Sequence, residues 1–199
     1  GMYAKGLHRL SNPKIVIHEH GLNKRIPVSG VVEYKEKLWI ATNQGGLVVK
    51  DRLGNRQILN TDNGLPSNVT RALLPDSAGN LWIGTSNGLV KYRDEKITQV
   101  DLVDKTSSKW IFHLFESLDG TIWVGTTSGL ASIKDNNVSQ EMTNIESSNK
   151  VIEWISQTRD GTMWVGTSVG VFFKKNKQWE PLINVDQQII GIRSFYEDK

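Results

Sequence analysis

The chain of 199 residues contains no cysteine, which excludes disulfides and thiolate metal sites and leaves the redox compartment open. Histidine is scarce, with four copies: His8, His18, His20 and His113. No stretch approaches the roughly 20 consecutive apolar residues of a membrane-spanning helix, so direct membrane insertion is not expected. The N-terminus has no charged-then-apolar leader, and Gly1-Met2 has the look of a vector-derived Gly ahead of a start Met. A surplus of one charge is also lacking. Lys and Arg number 24 against 21 Asp and Glu, for a net charge of +3, and without basic runs this gives no footing to nucleic-acid binding. With 38% hydrophobic and 23% charged residues, the composition is that of a globular domain.

What the chain does have is one phrase, four times: Leu38-Trp39-Ile40-Ala41-Thr42, Leu81-Trp82-Ile83-Gly84-Thr85, Ile122-Trp123-Val124-Gly125-Thr126 and Met163-Trp164-Val165-Gly166-Thr167. The tryptophans lie 43, 41 and 41 residues apart. Each phrase is followed by a Gly that opens another apolar run, at Gly46, Gly88, Gly129 and Gly170. A period in the low forties marks an array, either a propeller or a helical solenoid.

The content of the unit decides between these. Its runs are short, rich in Val, Ile, Trp, Phe and Thr, and bounded by Gly, Asp, Asn and Ser, which is strand chemistry. Asp119-Gly120 and Asp160-Gly161 fall where a tight hairpin needs positive φ. No window carries the i, i+3, i+4, i+7 apolar pattern of a helical repeat. The expected fold is therefore all-β, an array of four-stranded antiparallel propeller blades spanning approximately 28–60, 69–102, 110–143 and 151–183 within a single domain, 1–199. Remnants at 6–19 and 190–197 read as pieces of a split, incomplete fifth blade that lacks its second strand. A missing strand leaves unpaired edges. The expectation is a window cut from a longer propeller, or a shortened gene product, with apolar terminal faces that favour self-association or docking of further receptor segments.

In this reading Trp39, Trp82, Trp123 and Trp164 fill the wedges between blades. The Gly in three of the phrases permits close approach of a neighbour. Thr42, Thr85, Thr126 and Thr167 cap the strand end by hydrogen-bonding a loop backbone.

Units such as Val69 to Tyr92, with their D-x-x-G-x-L-W-I-G-T-x-x-G-L character, resemble the two-component regulator propeller repeat. The link Asn63-Gly64-Leu65-Pro66-Ser67-Asn68-Val69 matches that family's inter-blade segment, and His20-Gly21-Leu22-Asn23 is a partial copy. The resemblance implies the extracytoplasmic or periplasmic sensor region of a bacterial hybrid two-component regulator. Many of these respond to oligosaccharides, and their output modules would lie outside this chain.

No catalytic motif is legible. There is no G-x-S-x-G elbow, and Gly84 to Lys91 lacks phosphate-loop spacing. His18-Glu19-His20 is the one local cluster of metal-ligand types, without an identifiable third ligand, so neither a metal nor a cofactor is expected. The residues that depart from the repeat are more informative. Aligned first strands place Val69, Trp110 and Val151 in one column, Arg71, Phe112 and Glu153 in another, and Ala72, His113 and Trp154 in the next. First strands line a propeller's channel, so Arg71, Trp110, His113, Glu153 and Trp154 are the candidate ligand-facing residues, suited to an oligosaccharide or another amphipathic small molecule. The competing reading makes Trp110 and Trp154 inter-blade filler and leaves Arg71 and Glu153 solvated. The expected function is a non-enzymatic sensor. A protein-docking scaffold is the alternative, and a propeller lyase or hydrolase with acid-base residues at the channel mouth a third class.

Overall fold

A computed structural model describes residues 26–102, 110–142 and 151–182 in full, and the backbone alone of residues 7–11 and 14–18. Four four-stranded antiparallel sheets follow one another along the chain. The first contains β3 (Val28–Tyr34), β4 (Lys37–Thr42), β5 (Leu47–Lys50) and β6 (Arg56–Leu59). The second contains β7 (Thr70–Pro75), β8 (Leu81–Thr85), β9 (Gly88–Arg93) and β10 (Lys96–Val100). The third contains β11 (Ile111–Glu116), β12 (Ile122–Thr126), β13 (Leu130–Lys134) and β14 (Asn137–Glu141), and the fourth β15 (Ile152–Gln157), β16 (Met163–Thr167), β17 (Gly170–Lys175) and β18 (Gln178–Pro181). Before them, β1 (Leu7–Ser11) and β2 (Lys14–His18) pair as a two-stranded antiparallel sheet. The C-terminal run expected at 190–197 lies outside the described residues.

Every sheet is a meander, each strand pairing with the next in sequence, because the connections are too short for anything but hairpins. Between the first and second strands, Gly79, Gly120 and Gly161 adopt φ of 83°, 78° and 89°, the left-handed turn conformation that Gly accepts without a Cβ penalty. The first blade makes this hairpin with Lys35-Glu36 instead, at φ 47° and 60°.

Contacts between neighbouring sheets run through their first and second strands, so the sheets converge at the first strands and splay toward the outer ones. The second strands of blades two and three are buried on both faces, whereas Trp164 in β16 is half-buried. In β8, Leu81 and Ile83 join Trp39, Leu47 and Tyr34 in the seam between blades one and two. Trp82, one residue out of phase, packs with Leu114, Ile122 and Ile133 in the next seam. Trp123 does the same for blades three and four, against Ile155, Phe172 and Trp179. Alternation of side chains along a strand thus serves two interfaces at once, and each Trp removes on the order of 150–250 Å² from water. The continuous apolar character of the repeated phrase follows from this double burial.

The Gly of the phrase sits against the following blade. A Cβ on Gly84 would lie 2.6 Å from Cγ2 of Ile111, and one on Gly125 would lie 2.8 Å from Cγ2 of Ile152. The first phrase carries Ala41, and there the residue equivalent to Ile111 is the smaller Thr70. Its Oγ1 accepts from the Thr42 amide at 2.8 Å and donates to the Gly46 carbonyl at 3.0 Å.

Candidate functional site

In every blade the pairing of first to second strand skips one residue. Val28 opposes Thr42 and Gly30 opposes Ala41. Thr70 and Ala72 oppose Thr85 and Gly84, Ile111 and His113 oppose Thr126 and Gly125, and Ile152 and Trp154 oppose Thr167 and Gly166. The skipped residues are Ser29, Arg71, Phe112 and Glu153. A bulge leaves its extra residue outside the ladder, bends the strand and re-aims a side chain. These four bulges recur at one level of the converging strands, and their residues differ in chemistry from blade to blade.

Two neighbouring members of this row meet. The Arg71 guanidinium lies over the Phe112 ring at 4.5 Å and over the Trp110 ring at 5.4 Å. The two rings are tilted by 38° with centroids 6.1 Å apart. Trp110, just ahead of β11, is 38% exposed, whereas Trp39, Trp82 and Trp123 are buried. The structure therefore joins Arg71 on blade two to an aromatic pair on blade three. Phe112 was not among the candidates from sequence, although its place in the column between Arg71 and Glu153 was the available signal.

The other candidates occupy different surroundings. Glu153 is half-buried at the bulge of the fourth blade, and Trp154 is buried. His113 stands opposite Gly125, and its Nδ1 is buried without a hydrogen-bond partner. Burial pushes the imidazole down to about 4, because the desolvated cation is disfavoured, so His113 is neutral at physiological pH.

Around this row the repeated threonines and tryptophans fix the strand ends. Oγ1 of Thr42, Thr85, Thr126 and Thr167 donates to the carbonyls of Gly46, Gly88, Gly129 and Gly170 at 2.7, 2.8, 2.9 and 2.9 Å. The same oxygens accept from the amides of Gly45, Asn87, Ser128 and Val169. At the opposite strand ends, the indole N–H of Trp39 donates to the Tyr34 carbonyl, that of Trp82 to Asp76, that of Trp123 to Ser117 and that of Trp164 to Thr158. Asp119 braces one such hairpin. Its Oδ1 accepts from Ser117 and the Thr121 amide and its Oδ2 from Lys134, an arrangement that holds its carboxyl well below the usual range.

A separate cleft of about 500 Å³ opens between the outer strands of blades one and two, lined by residues including Gln57, Leu59, Tyr92, Glu95 and Ile97. It follows the seam where the inter-blade link passes β10, with Gly64 beside Ile97, and it lies away from the bulge row. Among the described residues no group of three or more His, Asp or Glu is placed to hold a metal ion. Glu19 and His20 of the His18-Glu19-His20 cluster lie outside the described residues. No described helix is long and apolar enough to cross a membrane.

Four successive four-stranded meanders, converging on bulged first strands and with a Trp of the repeated phrase in each described seam, define a β-propeller array. Residues 64–87 and 146–169 match the family described as two component regulator propeller. Among solved structures, it is similar to the extracellular domain described as that of the hybrid two component system BT3049 from B. thetaiotaomicron. The TM-score is 0.70 and the identity 26%, over 87% of this chain and 25% of that one. A second such domain, described for BT4673 of the same organism, gives a TM-score of 0.69 at 23% identity over 81% of this chain and 24% of that one. Virginiamycin B lyase from Staphylococcus aureus shares the fold, with a TM-score of 0.68 at 14% identity over 88% of this chain and 62% of that one. The chain thus spans about a quarter of the two-component extracellular domains it matches. No curated protein matches it.

Proposed function

We propose that the chain is a non-enzymatic, ligand-binding portion of an extracytoplasmic sensor propeller in a bacterial two-component system, and that its ligand is an oligosaccharide or a similar ring-bearing small molecule. Similarity to extracellular domains of hybrid two-component systems supports the sensor role. The observation that carries the ligand reading is the half-exposed Trp110 beside Arg71 and Phe112 on the converging strands. An exposed aromatic face next to a polar donor suits a sugar, whose C–H faces stack while its hydroxyls hydrogen-bond. A catalytic role has less support, since His113 is half-buried and neutral and so offers a poor acid-base group near neutral pH.

Isothermal titration of the purified chain against a panel of neutral and acidic oligosaccharides, with product analysis of each mixture, tests this reading. Saturable binding without turnover is expected. Product formation would move the chain to the enzyme class, and absence of saturable binding across the panel would reject the ligand-binding role in favour of a docking scaffold.

A further inference from the structure

We infer that the ligand carries an anionic group, a carboxylate or a sulfate ester, and that Arg71 is the residue that reads it. The inference rests on the ligand-binding reading above and adds the charge of the ligand. It starts from how the guanidinium is held. Its Cζ lies 4.5 Å from the centroid of the Phe112 ring and 5.4 Å from that of the Trp110 ring. A guanidinium held over aromatic rings in this way is attracted through its charge, and its N–H donors are not consumed by the contact.

Among the described residues no group takes up those donors. The ion pairs among the described residues link Lys35 to Asp94, Arg52 to Glu36, Arg93 to Asp94, Lys134 to Asp119 and Lys174 to Glu141, and none includes Arg71. Lys174 provides the contrast. It too lies over aromatic rings, Trp123 at 4.8 Å and Trp179 at 5.6 Å, but its ammonium also donates to Glu141 at 2.9 Å. That cation is a finished inter-blade clamp. Arg71 is half-buried over its two rings, yet its charge has no ion-pair partner among the described residues.

The bulge explains why this side chain can reach a ligand. Arg71 is the extra residue between Thr70 and Ala72, and it is the basic member of a row whose other members are Ser29, Phe112 and Glu153. A fork of donors fixed against two rings is pre-organised for an oxyanion, carboxylate most readily because its two oxygens match the fork. The half-exposed Trp110 ring is placed to carry the sugar or other ring to which that anion is attached.

The test is titration of the chain with trigalacturonic acid, its methyl ester, a sulfated chondroitin disaccharide and neutral maltotriose, repeated on Arg71→Gln and at raised salt. A charge-assisted hydrogen bond of ordinary strength corresponds to about 10- to 100-fold in affinity. The expected result is an acidic saccharide bound at least tenfold more tightly than maltotriose, weakening with salt, with that preference removed by Arg71→Gln. The uronic acid and the sulfated disaccharide distinguish the two anions. Equal affinity for acid, ester and maltotriose would overturn the inference while leaving the sensor reading standing, as would an Arg71→Gln protein that keeps the acid preference. Should Arg71→Gln fail to fold, the comparison of acid with ester on the unaltered chain decides by itself, and an ester bound as tightly as the acid overturns the inference. No saturable binding to any of the four would remove the ligand-binding reading and this inference with it.

Discussion

Substituting Gly84 by Ala tests the packing rule that spaces the blades. Gly84 has no positive φ, and in a strand Ala is ordinarily the better residue by roughly 0.5–1 kcal/mol, so backbone preference alone predicts a small gain. The seam predicts the opposite. The added methyl would lie 2.6 Å from Cγ2 and 2.8 Å from Cβ of Ile111, and 3.1 Å from Cβ of Ala72. Contacts this short on a β-branched residue that is fully buried cannot be relieved by a rotamer change alone, and overpacking of a close-packed site costs about 1–3 kcal/mol. At roughly 2–4 °C per kcal/mol for a chain of this size, thermal unfolding should move down by several degrees.

The first seam supplies the compensating change, because there Ala41 coexists with Thr70. Ile111→Thr alone should cost about 1–3 kcal/mol through lost apolar burial. In Gly84→Ala/Ile111→Thr the introduced methyl has room, and the introduced hydroxyl can bond the Thr85 amide and Gly88 carbonyl, as Thr70 bonds Thr42 and Gly46. The double variant should therefore be at least 1 kcal/mol more stable than the sum of the singles, measured by urea unfolding as a double-mutant cycle. Additivity within about 0.5 kcal/mol, or a Gly84→Ala protein more stable than the parent, would refute the rule.

Three further outcomes are expected. Trp154→Ala should lower stability by about 3–5 kcal/mol, because the side chain is buried; a near-neutral result in denaturant unfolding would return Trp154 to the ligand-facing group. His113 should make the chain acid-sensitive. Its pKa falls from 6.5 to about 4 on folding, so between those values the unfolded chain binds more protons and stability declines as pH is lowered through that window. His113→Asn should flatten this part of a pH–stability profile, and an unchanged profile would contradict the buried, neutral imidazole. Lys177→Gly should stabilise by about 1 kcal/mol, since Lys177 is exposed and held at φ 68° in the last hairpin, a conformation that costs a side-chain-bearing residue about that much; a lower melting temperature would count against it.

The sequence by itself determined the repeating unit, its strand content and its hairpins. These rest on local chemistry: β-branched and aromatic runs of strand length, turn glycines such as Gly120 and Gly161, and a Trp-centred phrase whose period exposes the blade. The second unit, expected near 69–75, 81–85, 88–93 and 96–102, folds as Thr70–Pro75, Leu81–Thr85, Gly88–Arg93 and Lys96–Val100. Column alignment also marked Arg71 and Trp110 as departures from the repeat, although they are distant in sequence. What lay beyond reach was their relation to each other. A bulge is a property of register between two strands, and nothing in the residues around Arg71 announces that Thr70 and Ala72 will take consecutive partners on β8. The approach of Arg71 to Phe112 and Trp110, the fit of Gly84 against Ile111 and the burial of Trp154 and of the His113 Nδ1 each depend on how neighbouring blades close on one another. Only the tertiary structure decided these, because the distances involved are set by packing across a seam rather than by any segment's own preferences.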